Sequence, residues 1–308
     1  MADTSPIIQA PPGGFLRRWQ EEHASRIEES RRAAYRFVQN RLSLLGLIFI
    51  ALLVVVAITG RWWVPAPQDA TGAIHASDRF IAPGLSHLFG TDELGRDIFS
   101  RVVLATQTAL LSGVIILLVA IGIGVTLGSV AGYFGGWIDE VLMRLTDMML
   151  AIPGIFLALA ITAALGPGII HAIMALSVTW WPGYARLVEG QVKAAREQDY
   201  VEACRAIGAR PGRIIFSHII PNLISSVIVK ASMDFGFAIL SLAALGFIGV
   251  GAQPPTPEWG EMISFGRQYL PQYWWYSTFP GLAMFIAVFG FNMLGDGLRD
   301  VFDPKSRL

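Results

Sequence analysis

The chain has 308 residues, of which 54% are apolar and only 15% charged, and it includes 32 glycines and a single cysteine. A soluble domain carries about 25% charged residues, and the apolar excess here lies in blocks near the roughly 20 residues that a bilayer-spanning helix needs. The net charge is zero, so nothing suggests nucleic-acid binding and charge matters here through its distribution, and the lone Cys204 excludes an internal disulfide and a cysteine metal cage.

Residues 1–41 are polar and rich in Arg and Glu, with no apolar core before Leu42, so no cleavable signal peptide is expected. Glu28, Glu29, Arg32 and Arg36 fall at helical spacing. They read as an amphipathic helix lying on the membrane surface or as a docking surface for a partner. Six spans follow, at residues 42–59, 104–131, 138–165, 168–187, 223–249 and 278–294, and an all-α polytopic membrane protein is the expected fold.

An even number of spans places both termini on one side, and Lys and Arg decide which. The N-terminal segment holds seven, the loop from Arg186 to Arg213 six and the tail three (Arg299, Lys305, Arg307). The opposite loops hold five: Arg61, Arg79, Arg96, Arg101 and Arg267. The bias predicts cytoplasmic termini and a cytoplasmic loop around Glu202. The expected organisation is a cytoplasmic segment at 1–41 and a first span with a periplasmic loop at 42–103. A five-helix core at 104–297 contains a cytoplasmic loop at 190–221, and a cytoplasmic tail closes the chain at 298–308.

Between spans one and two, Asp92, Arg96, Asp97 and Arg101 stand at helical ion-pair spacing, and Gly95 permits a tight turn. A fixed polar collar before span two is the reading taken, with direct substrate contact as the alternative. Within span two, Gly124, Gly128 and Gly132 share one helix face, which allows close backbone approach inside the bundle or against a second subunit. Pro153 and Pro182 fall inside spans three and four and are expected to bend them.

Charges inside spans need protein or water partners. Asp139, Arg144 and Asp147 near the start of span three are read as interhelical salt bridges. Lys230 and Asp234, one turn apart on span five, are read as a pair; a proton relay or substrate counter-ion is the alternative for both groups. His171 stands alone and reads as a packed histidine rather than a metal ligand.

No G-x-x-x-x-G-K-[ST] phosphate loop and no G-x-S-x-G elbow occurs, so no enzyme activity and no bound cofactor is expected of this chain. A secondary transporter would show broken helices in two matching halves, and no such repeat is visible.

The loop at residues 199–222 concentrates charge that an apolar chain otherwise avoids. Its order Glu202-Ala203, Gly208, Pro221-Asn222 resembles the E-A-A…G…P loop of bacterial ABC importer permeases. The run from His87 to Arg101, H-L-F-G-T-D-E-L-G-R-D-I-F-S-R, is similar to an element of the C-type permease subunit of dipeptide, oligopeptide and nickel importers. Three further stretches match that subfamily in order. They are Gly132-Tyr133-Phe134-Gly135-Gly136-Trp137, Gln253-Pro254-Pro255-Thr256-Pro257-Glu258-Trp259-Gly260, and Gly295-Asp296-Gly297-Leu298-Arg299-Asp300 followed by Asp303-Pro304. The chain departs from it at Cys204, where the triplet has alanine, and at Leu242, where an acidic residue is usual; His218 is common in the peptide branch.

The resemblance implies a type I importer permease in a bacterial inner membrane. Its expected partners are a homologous B-type permease, two ATPase subunits that bind ATP and magnesium, an extracytoplasmic substrate-binding protein and membrane lipid. It implies an ATPase-coupling loop carried by Glu202, Ala203, Arg205, Gly208, Arg213, His218, Pro221 and Asn222. Peptides are the implied cargo, with glutathione, nickel chelates and oligosaccharides as relatives of it.

Overall fold

A computed structural model describes residues 40–302 of the chain, so the amphipathic helix expected in residues 1–41 lies outside the described residues. Those residues form helices joined by loops and short 3-10 turns, with one isolated bridge between Thr91 and Asp97. The helices are α1 (Arg41–Trp63), α2 (Ile98–Phe134), α3 (Gly136–Leu150), α4 (Gly154–Leu165) and α5 (Ile169–Arg196). After them come α6 (Asp199–Ala206), α7 (Pro211–Ile248), α8 (Trp259–Gly266) and α9 (Trp275–Phe302).

Four of these helices, α1, α2, α7 and α9, are long and apolar enough to cross a membrane. The third expected span is not one gently bent helix. It is two helices, α3 and α4, meeting at 85°. Pro153, whose ring cannot continue a helix and whose N–H is absent, is the N-cap residue of α4. The fourth expected span is α5, whose 28 residues reach about 42 Å, although its second half is too polar for the same hydropathy class. Pro182 sits inside α5, which continues through it.

Glycine sets how closely the helices approach. The most extensive helix contact among the described residues is between α2 and α5. It is a seam of Gly124, Gly128 and Gly132 against Trp181, Ala185 and Glu189. A Cβ on Gly124 would come within 2.5 Å of the Tyr184 Cβ, and one on Gly132 within 2.7 Å of the Glu189 carbonyl. The stripe is therefore consumed inside the bundle. Gly46 of α1 does the same against α9, where its Cβ would fall 2.7 Å from the Leu294 nitrogen.

Leu242 is 2% exposed and belongs to the core with Ile116, Ala158 and Leu176. A carboxylate at that depth would lose its hydration without gaining a partner, so leucine suits this packing.

Candidate functional site

Two regions concentrate the residues singled out from the sequence, at opposite ends of α2. At the Thr91 end, the loop before α2 folds on itself around Asp92. One carboxylate oxygen of Asp92 accepts from the Leu94 and Arg96 backbone nitrogens, each at 2.9 Å, and the other takes Arg96 Nε at 2.6 Å. Gly95 closes this turn at φ +78°, with its Cα against the His75 carbonyl, where any side chain would collide with backbone.

Asp97 does not pair with Arg101. It caps α2 instead, accepting from Ser100 N at 2.8 Å and Ser100 Oγ at 2.7 Å, as a short polar residue ahead of a helix is suited to do. Arg101 turns across the molecule. Its guanidinium donates to the Asp69 carbonyl at 3.1 Å and to Glu261 Oε2 at 3.3 Å, and it lies 3.9 Å from Asp92. Arg101 is 0% exposed and Asp92 0%. The cluster thus welds the first loop to α8, with Asp69 bridging to the Asp97 nitrogen at 2.7 Å and to His75 at 2.9 Å.

The sequence reading missed Asp69 and Glu261, and it quoted Glu258 only within a family-like stretch, without its buried role. Glu258 caps α8, accepting from Gly260 and Glu261 nitrogens at 2.9 and 2.8 Å. Burial pushes its carboxyl up to about 7 against the pull of those two N–H groups. Burial likewise raises Glu261 to about 7, opposed by the charges of Arg101 and Arg96. Burial alone would lower the Arg96 pKa, but the charge and hydrogen bond of Asp92 outweigh it and the net direction is upward. The one available signal for Glu258 was an acidic residue ahead of a short run with a second acid three places on.

At the other end stands the Glu202 loop. Helix α6 ends in a Schellman motif: Gly208 N–H donates to the Arg205 carbonyl at 2.9 Å and Ala209 N–H to the Cys204 carbonyl at 3.0 Å. Gly208 holds φ +77° with open space around it, so the turn needs glycine for its backbone rather than for room. Pro211, pre-set for the first helical position, restarts the chain as α7.

The second short helix of the loop is continuous with span five. A π-helical turn over Ile214–Ile219 precedes Pro221, which cannot supply an N–H to the preceding turn. Asn222 donates to the His218 carbonyl at 2.8 Å in the same stretch.

The underside of the loop is anchored and its upper side is bare. Val201, Ile214 and Ile219 are each 0% exposed, packed in the core with Val188 and Val192. Arg205 lies 5.4 Å over the Tyr133 ring, and Arg196 donates to the Gly132 and Tyr133 carbonyls at the end of α2. Glu202, Ala203, Arg205, Gly208, Arg213, Pro221 and Asn222 are exposed, and His218 is half-buried. Ile207 is 84% exposed, an apolar tip amid charge.

The charges inside the spans pair as expected. Lys193 meets Asp139 at 2.6 Å, Arg186 meets Asp147, and Lys230 meets Asp234 at 3.0 Å. Arg144 departs from the interhelical expectation: among the described residues it pairs with Glu140, one turn back on its own exposed face, at 3.5 Å. His171 donates to the Gly166 carbonyl at 2.8 Å, a packed histidine as read.

Comparison with known proteins agrees across the chain. Residues 124–308 match the family of binding-protein-dependent transport system inner membrane components. Residues 30–83 match the N-terminal transmembrane domain of oligopeptide transport permease C. A dipeptide transport system permease protein of Alkalihalophilus pseudofirmus is 42% identical over 93% of this chain and 93% of its own length. A glutathione transport system permease protein of Escherichia coli is 44% identical, with 88% of each covered. An inward-facing methionine ABC transporter shares the fold at a TM-score of 0.54 and 20% identity, over 67% of this chain and 98% of that one. The chain is therefore an ABC-importer permease rather than an enzyme, and it belongs to the binding-protein-dependent transport system inner membrane components, in the branch that carries the N-terminal domain of oligopeptide transport permease C.

Proposed function

We propose that this permease carries peptides inward, forming half of a path with a homologous B-type subunit. Two ATPases that hold ATP and magnesium drive it, and an extracytoplasmic binding protein delivers cargo. The dipeptide and glutathione permeases among its relatives support the substrate class. The basic-residue bias supports cytoplasmic termini and a cytoplasmic Glu202 loop, with the collar periplasmic. On that plan residues 1–41 and 298–308 are cytoplasmic, 42–103 form the first span and outer loop, and 104–297 form the core around the loop at 190–221.

The observation that carries the coupling role is the two-sided build of the loop. Its apolar underside is fixed to α5 and α7, while Glu202, Arg210 and Arg213 are exposed with Ile207 among them, and Arg205, also exposed, rests on Tyr133. Such a surface fits a cleft with basic and backbone donors for Glu202 and an acidic rim for the arginines. ATP binding would close the ATPases and move this loop with α7, turning the path outward, and hydrolysis would reset it.

Gly208→Leu tests the assignment. A β-carbon at φ +77° is strained by roughly 1–2 kcal/mol, and the bulk stands on the docking face. The spans should insert normally while substrate-stimulated ATP hydrolysis and uptake are lost, or the ATPases dissociate. Normal uptake by an intact variant complex refutes it. Orientation is checked separately. A reporter active only outside the cytoplasm should work at Ser77 or Gln272 and fail at Gln198 or Pro304.

A further inference from the structure

The charged pair on α7 has a setting that a structural salt bridge does not require. Measured from the start of the expected span at 223–249, Lys230 and Asp234 lie about 11 and 17 Å along the helix axis, roughly a third to a half of the hydrocarbon thickness. Lys230 and Asp234 keep 33% and 21% exposure there, at a depth where charge facing lipid is expensive.

Across from them on α5, the Tyr184 ring lies 5.1 Å from Lys230 Nζ. The Tyr184 hydroxyl is buried beside the Asp234 carboxylate but makes no well-aligned hydrogen bond in the structure. Gly183 beside it faces the same pair, and a Cβ there would fit in van der Waals contact, 3.7 Å from Lys230 Cε. The same side of α5 continues toward the Glu202 loop with Arg186 and Lys193, at 40% and 42% exposure, and with exposed Gly190 between them. The polar half of α5 thus forms one stripe of half-exposed charge, and lipid is the one medium that does not suit it.

We propose that this stripe faces an aqueous path and that Lys230, Asp234 and Tyr184 form a mid-membrane station for the two charged ends of a short zwitterionic peptide, an inference that rests on the peptide-importer reading above. The Lys230 ammonium receives the peptide carboxylate and the Asp234 carboxylate receives the α-ammonium. The Tyr184 O–H, which lies beside Asp234 in the empty site, donates to the bound peptide. Empty, the two charges neutralise each other and carry no net charge into the membrane. Occupied, one ion pair becomes two, an exchange that leaves binding weak, as a transit site requires if cargo is to leave. A lone cation or anion would match one pole and strand the other.

The test uses the assembled complex in inside-out vesicles, with Cys204→Ala as background and Gly183→Cys as the reporter. Ser226→Cys, one turn before Lys230 on the same face, serves if the first variant assembles poorly. A water-soluble, membrane-impermeant thiol reagent should modify the reporter. Alanyl-alanine at about ten times its dissociation constant should slow that modification about tenfold. N-acetyl-alanyl-alanine amide, which lacks both charges, should not slow it. Adding Lys230→Ala or Asp234→Ala should abolish the protection.

A reporter that stays unmodified in an assembled complex puts these residues against the partner permease and overturns the station. So does modification that alanyl-alanine leaves unslowed, or equal protection by the blocked peptide. Uptake of alanyl-alanine by the unaltered complex is measured alongside. If the complex moves peptide and the reporter fails, the station alone is wrong; if it moves none, the peptide reading falls and takes the station with it.

Discussion

The collar around Asp92 and the loop around Glu202 hold similar side chains and treat them in opposite ways. In the collar Arg101 is wholly buried and reaches residues from three parts of the chain, Asp69, Asp92 and Glu261. In the loop Glu202, Arg205, Arg210 and Arg213 are exposed, and the sealed residues are the apolar Val201, Ile214, Ile215 and Ile219. Burial makes the collar's charges mutually dependent, because removing one leaves its partner dry and unpaired. Exposure leaves the loop's charges free to meet another surface at little cost to the chain that bears them. Charge density alone therefore does not separate a brace from a docking face; the exposure of its polar atoms does.

The largest effect expected from that contrast is at Arg101. Arg101→Ala strands Glu261 in the interior, while Asp92 keeps Arg96; losing one partner of a buried pair costs about 3–5 kcal/mol. The thermal midpoint or yield of the purified complex should collapse. Retained stability with altered preference among peptides would make the collar a substrate surface instead. Arg96→Ala, which removes the 2.6 Å bond to Asp92, should act in the same direction.

A smaller effect concerns pH. The Glu258 carboxyl is raised from 4.5 to about 7 by burial, so the folded form holds its proton more tightly than the unfolded chain does. Its contribution to stability is fully present below pH 4.5 and is lost as pH rises through about 7. The loss amounts to about 3 kcal/mol at most. Denaturation of the complex at pH 5 and pH 8 should show this slope, and Glu258→Gln should flatten it, leaving the part due to Glu261. An unchanged slope in the variant places the titration elsewhere.

The smallest effect is at Gly208. Gly208→Ala forces a β-carbon onto positive φ at a cost of about 1 kcal/mol. That cost should fall on local opening of α6, read by hydrogen exchange, and leave the melting of the bundle in place. Loss of bundle stability would mean that the loop braces the fold as the collar does.

The periodic features were legible in the sequence. The glycine stripe on α2 and the Lys230–Asp234 turn depend on residues close together, so spacing reports them, whereas α2 and α7 begin at Ile98 and Pro211, ahead of the apolar blocks that marked their spans. The collar was legible only in part. Asp92 and Arg96 are four residues apart, whereas Arg101 and Glu261 are separated by 160, and no local pattern announces such a pair. Asp97 and Arg101 stand at ion-pair spacing but serve a helix cap and a cross-chain contact, because an N-cap carboxylate is already occupied by its own first turn. Pro153 marked a bend without fixing its size. The 85° break places α4 against α5, a choice made by tertiary packing.

The uninterrupted course of Pro211–Ile248 has a mechanical consequence. Thirty-eight residues in one helix make a rod about 57 Å long, with one end at Arg213 and the far end at the collar beside α8. A push at Arg213 needs no relay through a hinge loop to reach Lys230, because both are set in the same shaft. The wider π-helical turn at Ile214–Ile219 is the one compliant coupling in that shaft, and its position decides how much of a push arrives as rotation of α7 and how much is absorbed before the membrane is reached.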